Sequence, residues 1–123
     1  MPSGLATNGK DLWAADWATG TVSQIIRDGA VITPVVIAQG LKQPEGMALA
    51  TDGSLLVAET GTGRIVSIDP TTETATALAE GLDLGTPGAK GQPPTNTLAG
   101  IAVDPSGSIY VSANGLYRLD PVS

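Results

Sequence analysis

The apolar positions of this chain come in short runs separated by clusters of glycine, aspartate, threonine and proline, a pattern of strands joined by tight turns. The run Leu55, Leu56, Val57, Ala58 is almost continuously apolar and predicts a strand, Ser54 to Glu59, covered on both faces. Ahead of it, Gly46 to Leu49 starts an apolar strand, and Thr51-Asp52-Gly53 makes a turn in which glycine supplies a positive φ. After Thr60-Gly61-Thr62-Gly63, the β-branched residues Ile65, Val66 and Ile68 carry a strand over Arg64 to Ile68. Beyond Asp69-Pro70-Thr71-Thr72, Thr74 to Ala79 alternates polar and apolar residues, which suits an outer edge with one side in water. The same plan precedes this stretch, with strands at Leu5 to Thr7, Leu12 to Asp16, Thr21 to Ile26 and Val31 to Ala38. Asp28-Gly29 between two apolar runs is a strong hairpin signal. A shorter version follows, with strands at Ile101 to Val103, Ile109 to Ser112 and Leu116 to Leu119.

These stretches are copies of one another. Pro2 to Leu41 matches Pro44 to Leu82 at an offset of 42 to 43 residues, and Ala99 to Pro121 matches both in part, so that Gly4, Gly46 and Gly100 occupy one equivalent position. Repeats of about 40–50 residues that each read as four short strands are the mark of β-propeller blades. The fold class expected is therefore all-β: a partial β-propeller of two complete four-stranded blades plus a three-stranded third. Blade one covers residues 1–43, blade two 44–82 and the incomplete blade three 98–123, with a Gly/Pro-rich insertion loop at 83–97. Closed rings take about 4–8 blades. Further propeller material is expected as a partner, either another copy of the chain in a six-bladed homodimer or the missing blades of a longer chain.

Composition narrows the chemistry. Twelve acidic residues against six basic ones give a net charge of −6, which repels phosphate backbones and argues against nucleic acid as a partner. The 123 residues include no cysteine and no histidine, so thiolate metal sites, disulfides and Ser-His-Asp catalysis are all excluded within the chain. No apolar run reaches the roughly 18 residues of a membrane span, so no membrane partner is expected.

In a four-stranded meander, the links between blades lie at the same end as the turns between second and third strands. A small-molecule ligand is expected at that end, where loops on a rigid scaffold crowd around the channel. Glu45 is the most interesting single residue there, since the matching residues are Ser3 and Ala99; it is either an exposed turn carboxylate or a carboxylate with a specific task. Asp16 and Glu59 are equivalent to each other at the end of the second strand, where repetition points to acceptance of backbone N–H groups in the adjoining turn. Trp17 either stacks on a ligand or fills space between blades. Asn96, at the end of the insertion, and Asn114, in the last hairpin, complete the candidate ligand contacts. Gly61-Thr62-Gly63 resembles half of a nucleotide loop, but it lies between two strands and lacks a following helix N-terminus.

The pattern Pro44-Glu45-Gly46-Met47-Ala48, then Asp52-Gly53, Leu56-Val57-Ala58-Glu59 and Gly63-Arg64-Ile65 resembles NHL-type repeats. It is also similar to the blades of the gluconolactonase/regucalcin group and of streptogramin lyases. The resemblance covers nearly the whole chain outside the insertion and implies a blade far more strongly than an activity. In the gluconolactonase-like group, Pro-Asp-Gly and Pro-Asn-Gly motifs supply ligands to a divalent cation in the channel. The resemblance thus implies Glu45 as a ligand to calcium or magnesium, a weakened ligand at Ser3 and none at Ala99. Streptogramin lyases rely on a histidine that this chain does not have. The function expected is a ligand-binding or protein-interaction module that needs further blades to close; the alternative is half of a metal-dependent lactone or ester hydrolase.

Overall fold

A computed structural model of the chain describes residues 1–84, 99–113 and 115–120. Among them there is no helix, and three antiparallel sheets of four, four and three strands carry the fold. Blade one is β1 (Pro2–Thr7), β2 (Leu12–Asp16), β3 (Thr21–Arg27) and β4 (Ala30–Ala38). Blade two is β5 (Pro44–Leu49), β6 (Leu55–Glu59), β7 (Arg64–Ile68) and β8 (Ala75–Ala79). Blade three is β9 (Gly100–Val103), β10 (Ile109–Ala113) and β11 (Gly115–Leu119). Within each sheet the strands are hydrogen-bonded in chain order. The innermost strands β1, β5 and β9 lie side by side across the blade boundaries, as the inner wall of a propeller arc requires.

The period-two alternation of β6 explains its unbroken apolar run. All five of its residues are buried, with Leu55 and Val57 packing toward blade one and Ala58 toward blade three. The first inter-blade core gathers Trp13, Ala15, Val22 and Ile37 of blade one against Met47, Val66 and Ile68 of blade two. The second joins Ala58 and Ile65 to Ala99, Val111 and Leu84. The outer strands are wet: four of the five β8 residues are exposed, and β4 tolerates Pro34 because it lies on an edge. The Asp28-Gly29 turn has both residues at positive φ, 51° and 79°, matching the twist of the strands it joins.

The inner strands begin earlier than the sequence pattern suggested, at Pro2 and Pro44. Each starts with a bulge, between Pro2 and Gly4 in β1 and between Pro44 and Met47 in β5. A bulge leaves one residue unpaired in its own ladder and re-aims its neighbours. The bulged segments hold Ser3 and Glu45, whose side chains hydrogen-bond to the backbone of the following blade.

Candidate functional site

The crossing contacts define the candidate site, at the end of the arc where β1 and β5 begin and the β2–β3 and β6–β7 turns lie. Ser3 Oγ donates to the carbonyl of Pro44 at 2.7 Å, tying blade one to blade two. At the next boundary the Glu45 carboxylate does the equivalent work: its Oε1 accepts the Ala99 N–H at 2.7 Å. The exposed-turn reading of Glu45 fails, since the residue is only 2% accessible. Ala99, with no functional side chain, contributes both backbone groups instead, because its carbonyl also accepts the Gly46 N–H at 2.9 Å.

Thr60 Oγ1 stands 3.3 Å from Glu45 Oε2 and donates to the Gln43 carbonyl at 2.8 Å. A hydroxyl has a single proton, so Thr60 shares it between the Gln43 carbonyl and Glu45 Oε2, the shorter contact being the one to Gln43. Burial pushes the Glu45 carboxyl above its usual range, and the donors at Ala99 and Thr60 offset this only in part.

Glu59 has the opposite character, although it is fully buried. Burial works against its charge, but the Thr62 hydroxyl, the Lys42 N–H at 2.9 Å and the Arg64 guanidinium at 2.7 Å outweigh it and hold the carboxyl below its usual range. Asp16, its equivalent in blade one, accepts the N–H groups of Ala18 and Thr19 at 2.9 and 3.0 Å and pairs with the terminal amino group of Met1 at 2.7 Å. These hydrogen bonds and the ion pair also lower its pKa, the amino group contributing most. Trp17 is 5% exposed and donates its backbone N–H to the Met1 carbonyl at 2.9 Å. Its indole Nε1 is buried with no hydrogen-bond partner among the described residues.

The structure therefore brings Glu45 together with Thr60 and Ala99, and Glu59 together with Lys42, Thr62 and Arg64. Among the described residues, neither carboxylate is hydrogen-bonded to the other or to Asp16. Asn96 and Asn114 lie outside the described residues, as does nearly all of the insertion. Sequence reasoning missed Thr60, Arg64 and Ser3 as polar partners. The only signal for Arg64 was its placement five residues after Glu59 across a glycine-rich turn, a spacing that returns the side chain to the start of that turn.

The divalent cation implied by the resemblance does not fit these residues. Calcium wants six or more oxygens and magnesium an octahedron of them. Here both Glu45 oxygens face internal partners, and among the described residues no group of three or more His, Cys, Asp or Glu side chains converges.

No family model matches the chain, and no curated protein does. Solved structures do. An auxiliary nutrient binding protein from Bacteroides ovatus is similar with a TM-score of 0.70 and 18% identity, over 98% of this chain and 28% of that one. A gluconolactonase from Xanthomonas campestris gives 0.64 and 20%, over 89% of this chain and 34% of that one. A virginiamycin B lyase from Staphylococcus aureus gives 0.60 and 15%, over 99% and 42% respectively. The chain thus spans well under half the length of the structures it resembles. At this level of identity the likeness is one of architecture. The gluconolactonase and the lyase are β-propeller proteins, and the chain is a three-blade arc of that fold.

Proposed function

We propose that this chain is an assembly module, an arc of propeller blades whose role is completed when further propeller material seats on its open flank. One observation carries the reading. In blades one and two, the third-strand residues Val22 and Ile65 are fully buried by the blade that follows, whereas their equivalent in blade three, Leu116, is 75% exposed. It borders an open groove of about 320 Å³. An added blade covering Leu116 as blades two and three cover Val22 and Ile65 accounts for this contrast. The polar groups at the loop end support the same reading, because Glu45, Glu59 and Asp16 are already engaged in holding the blades and turns of their own chain. Any ligand pocket at that end gains its free polar groups from the added blades.

An environment-sensitive apolar dye tests this at submicromolar protein, where a weak self-contact is dissociated. The expected result is fluorescence with the wild-type chain and its loss with Leu116→Lys, at unchanged far-ultraviolet circular dichroism. Equal dye binding by the two proteins overturns the proposal.

A further inference from the structure

The two blade junctions inside the chain share one device, and a third half of it stands empty. At the first, a Cβ added to Gly4 would lie 2.2 Å from the Glu45 carbonyl oxygen, and at the second, a Cβ on Gly46 would lie 2.4 Å from the Ala99 carbonyl oxygen. Each glycine is a notch into which the next blade sets the carbonyl of the residue that precedes its own glycine. Contacts this short exclude every residue except glycine. Gly100 is the third glycine of the series, yet among the described residues a Cβ there would meet only Ser112 Oγ, at 3.1 Å. Its φ is not in the left-handed region, so the backbone conformation gives glycine no advantage there. The groove above it is lined by Ala102, Tyr110, Ser112 and Leu116. The registers place these opposite one another as they place Ala6, Trp13, Ala15 and Val22 in blade one, all of which are buried under blade two.

The complementary half is on the same chain. Blade one presents to solvent the face that in blade two is pressed against its predecessor. Leu5, the equivalent of Met47, is 61% exposed where Met47 is 7%. Ser3, just before Gly4, is the residue whose carbonyl corresponds to those of Glu45 and Ala99.

We propose that the Gly100 flank of blade three receives the Leu5 flank of blade one from a second copy of this chain, with the Ser3 carbonyl of that copy in the Gly100 notch. The inference rests on the assembly reading above and names its partner. A two-fold axis along the channel makes both junctions identical, and two arcs of three blades close into six, within the about 4–8 that rings require. Ala99 offers no side-chain latch of the kind that Ser3 and Glu45 provide, so this junction is held by packing and by the carbonyl in its notch.

Sedimentation equilibrium across a concentration series tests the proposal with the whole chain. The wild type is expected at twice the chain mass. Gly100→Val, which meets little within its own chain, and Leu5→Asp, on the other flank, are each expected to raise the dissociation constant at least about tenfold with circular dichroism unchanged. An equimolar mixture of the two variants is expected to recover association, because one of its two junctions joins two unaltered flanks. A wild-type monomer at all concentrations overturns the second copy as partner, and if the dye still distinguishes Leu116→Lys the assembly reading survives with another occupant. Association weakened by only one of the two variants, or a mixture no tighter than either alone, overturns the head-to-tail arrangement. Should Gly100→Val fold poorly, Leu116→Lys replaces it in every arm.

Discussion

Glu45 and Ala99, separated by 54 residues in sequence, are joined by a 2.7 Å hydrogen bond from the Ala99 N–H to the Glu45 carboxyl oxygen Oε1. Blade three is thereby fastened to blade two through a group that burial makes reluctant to ionise.

That reluctance has a sign. A folded-state carboxyl with a raised pKa holds its proton more tightly than the unfolded chain does. Stability from this group is therefore full below the usual glutamate range and is lost as pH rises through the folded value. Glu45→Gln keeps an acceptor for Ala99 and a donor for Thr60 without the charge. It is expected to match the wild type near pH 4.5 and to melt about 2–5 °C higher near pH 7.5, the scale of one repaired buried polar contact. Thermal unfolding at both pH values checks this, and a constant offset between the two proteins counts against it.

Glu59 should behave in reverse. Its lowered pKa contributes stability above the usual glutamate range that disappears as pH falls through the folded value. Glu59→Gln loses the ion pair with Arg64, and because that arginine is 36% exposed the cost is expected to be about 1–3 kcal/mol at neutral pH. Urea unfolding at neutral pH and in acid should show the two proteins converging in acid.

Gly4→Ala places a methyl group 2.2 Å from the Glu45 carbonyl oxygen, so the blades must part. Destabilisation of about 1–3 kcal/mol or more is expected. The exposed Leu78→Ala, on β8, should stay within about 0.5 kcal/mol of the wild type. Denaturation midpoints compare the two directly.

Calcium should find no purchase on Glu45. Calorimetric titration of the wild type and of Glu45→Ala with calcium is expected to give the same flat response, since both carboxyl oxygens already face internal partners. A heat signal in the wild type that vanishes in the variant would restore the hydrolase alternative.

The strands were legible because each is coded locally. The run from Leu55 to Ala58 announces a covered strand, and Asp28-Gly29 announces its hairpin, with no knowledge of the neighbours. The recurrence of Gly4, Gly46 and Gly100 was legible as a repeat, but the reason for it was not. A carbonyl from the next blade fills the first two positions, and nothing in the local sequence records its approach. The burial of Glu45 was hidden for the same cause: the backbone that covers it arrives 54 residues later. Trp17 left filling and stacking open in the sequence, and in the structure its ring is buried. The early starts of β1 and β5 depend on bulges, which shift register by one residue and leave no compositional trace.

The placement of the small residue in each blade bears on how such a protein grows. The tight fit is carried by the unit already in place, which keeps its recess ready, while the newcomer sets a carbonyl into it. Each unit thus carries both halves of the backbone joint, the recess at its glycine and the carbonyl just before it.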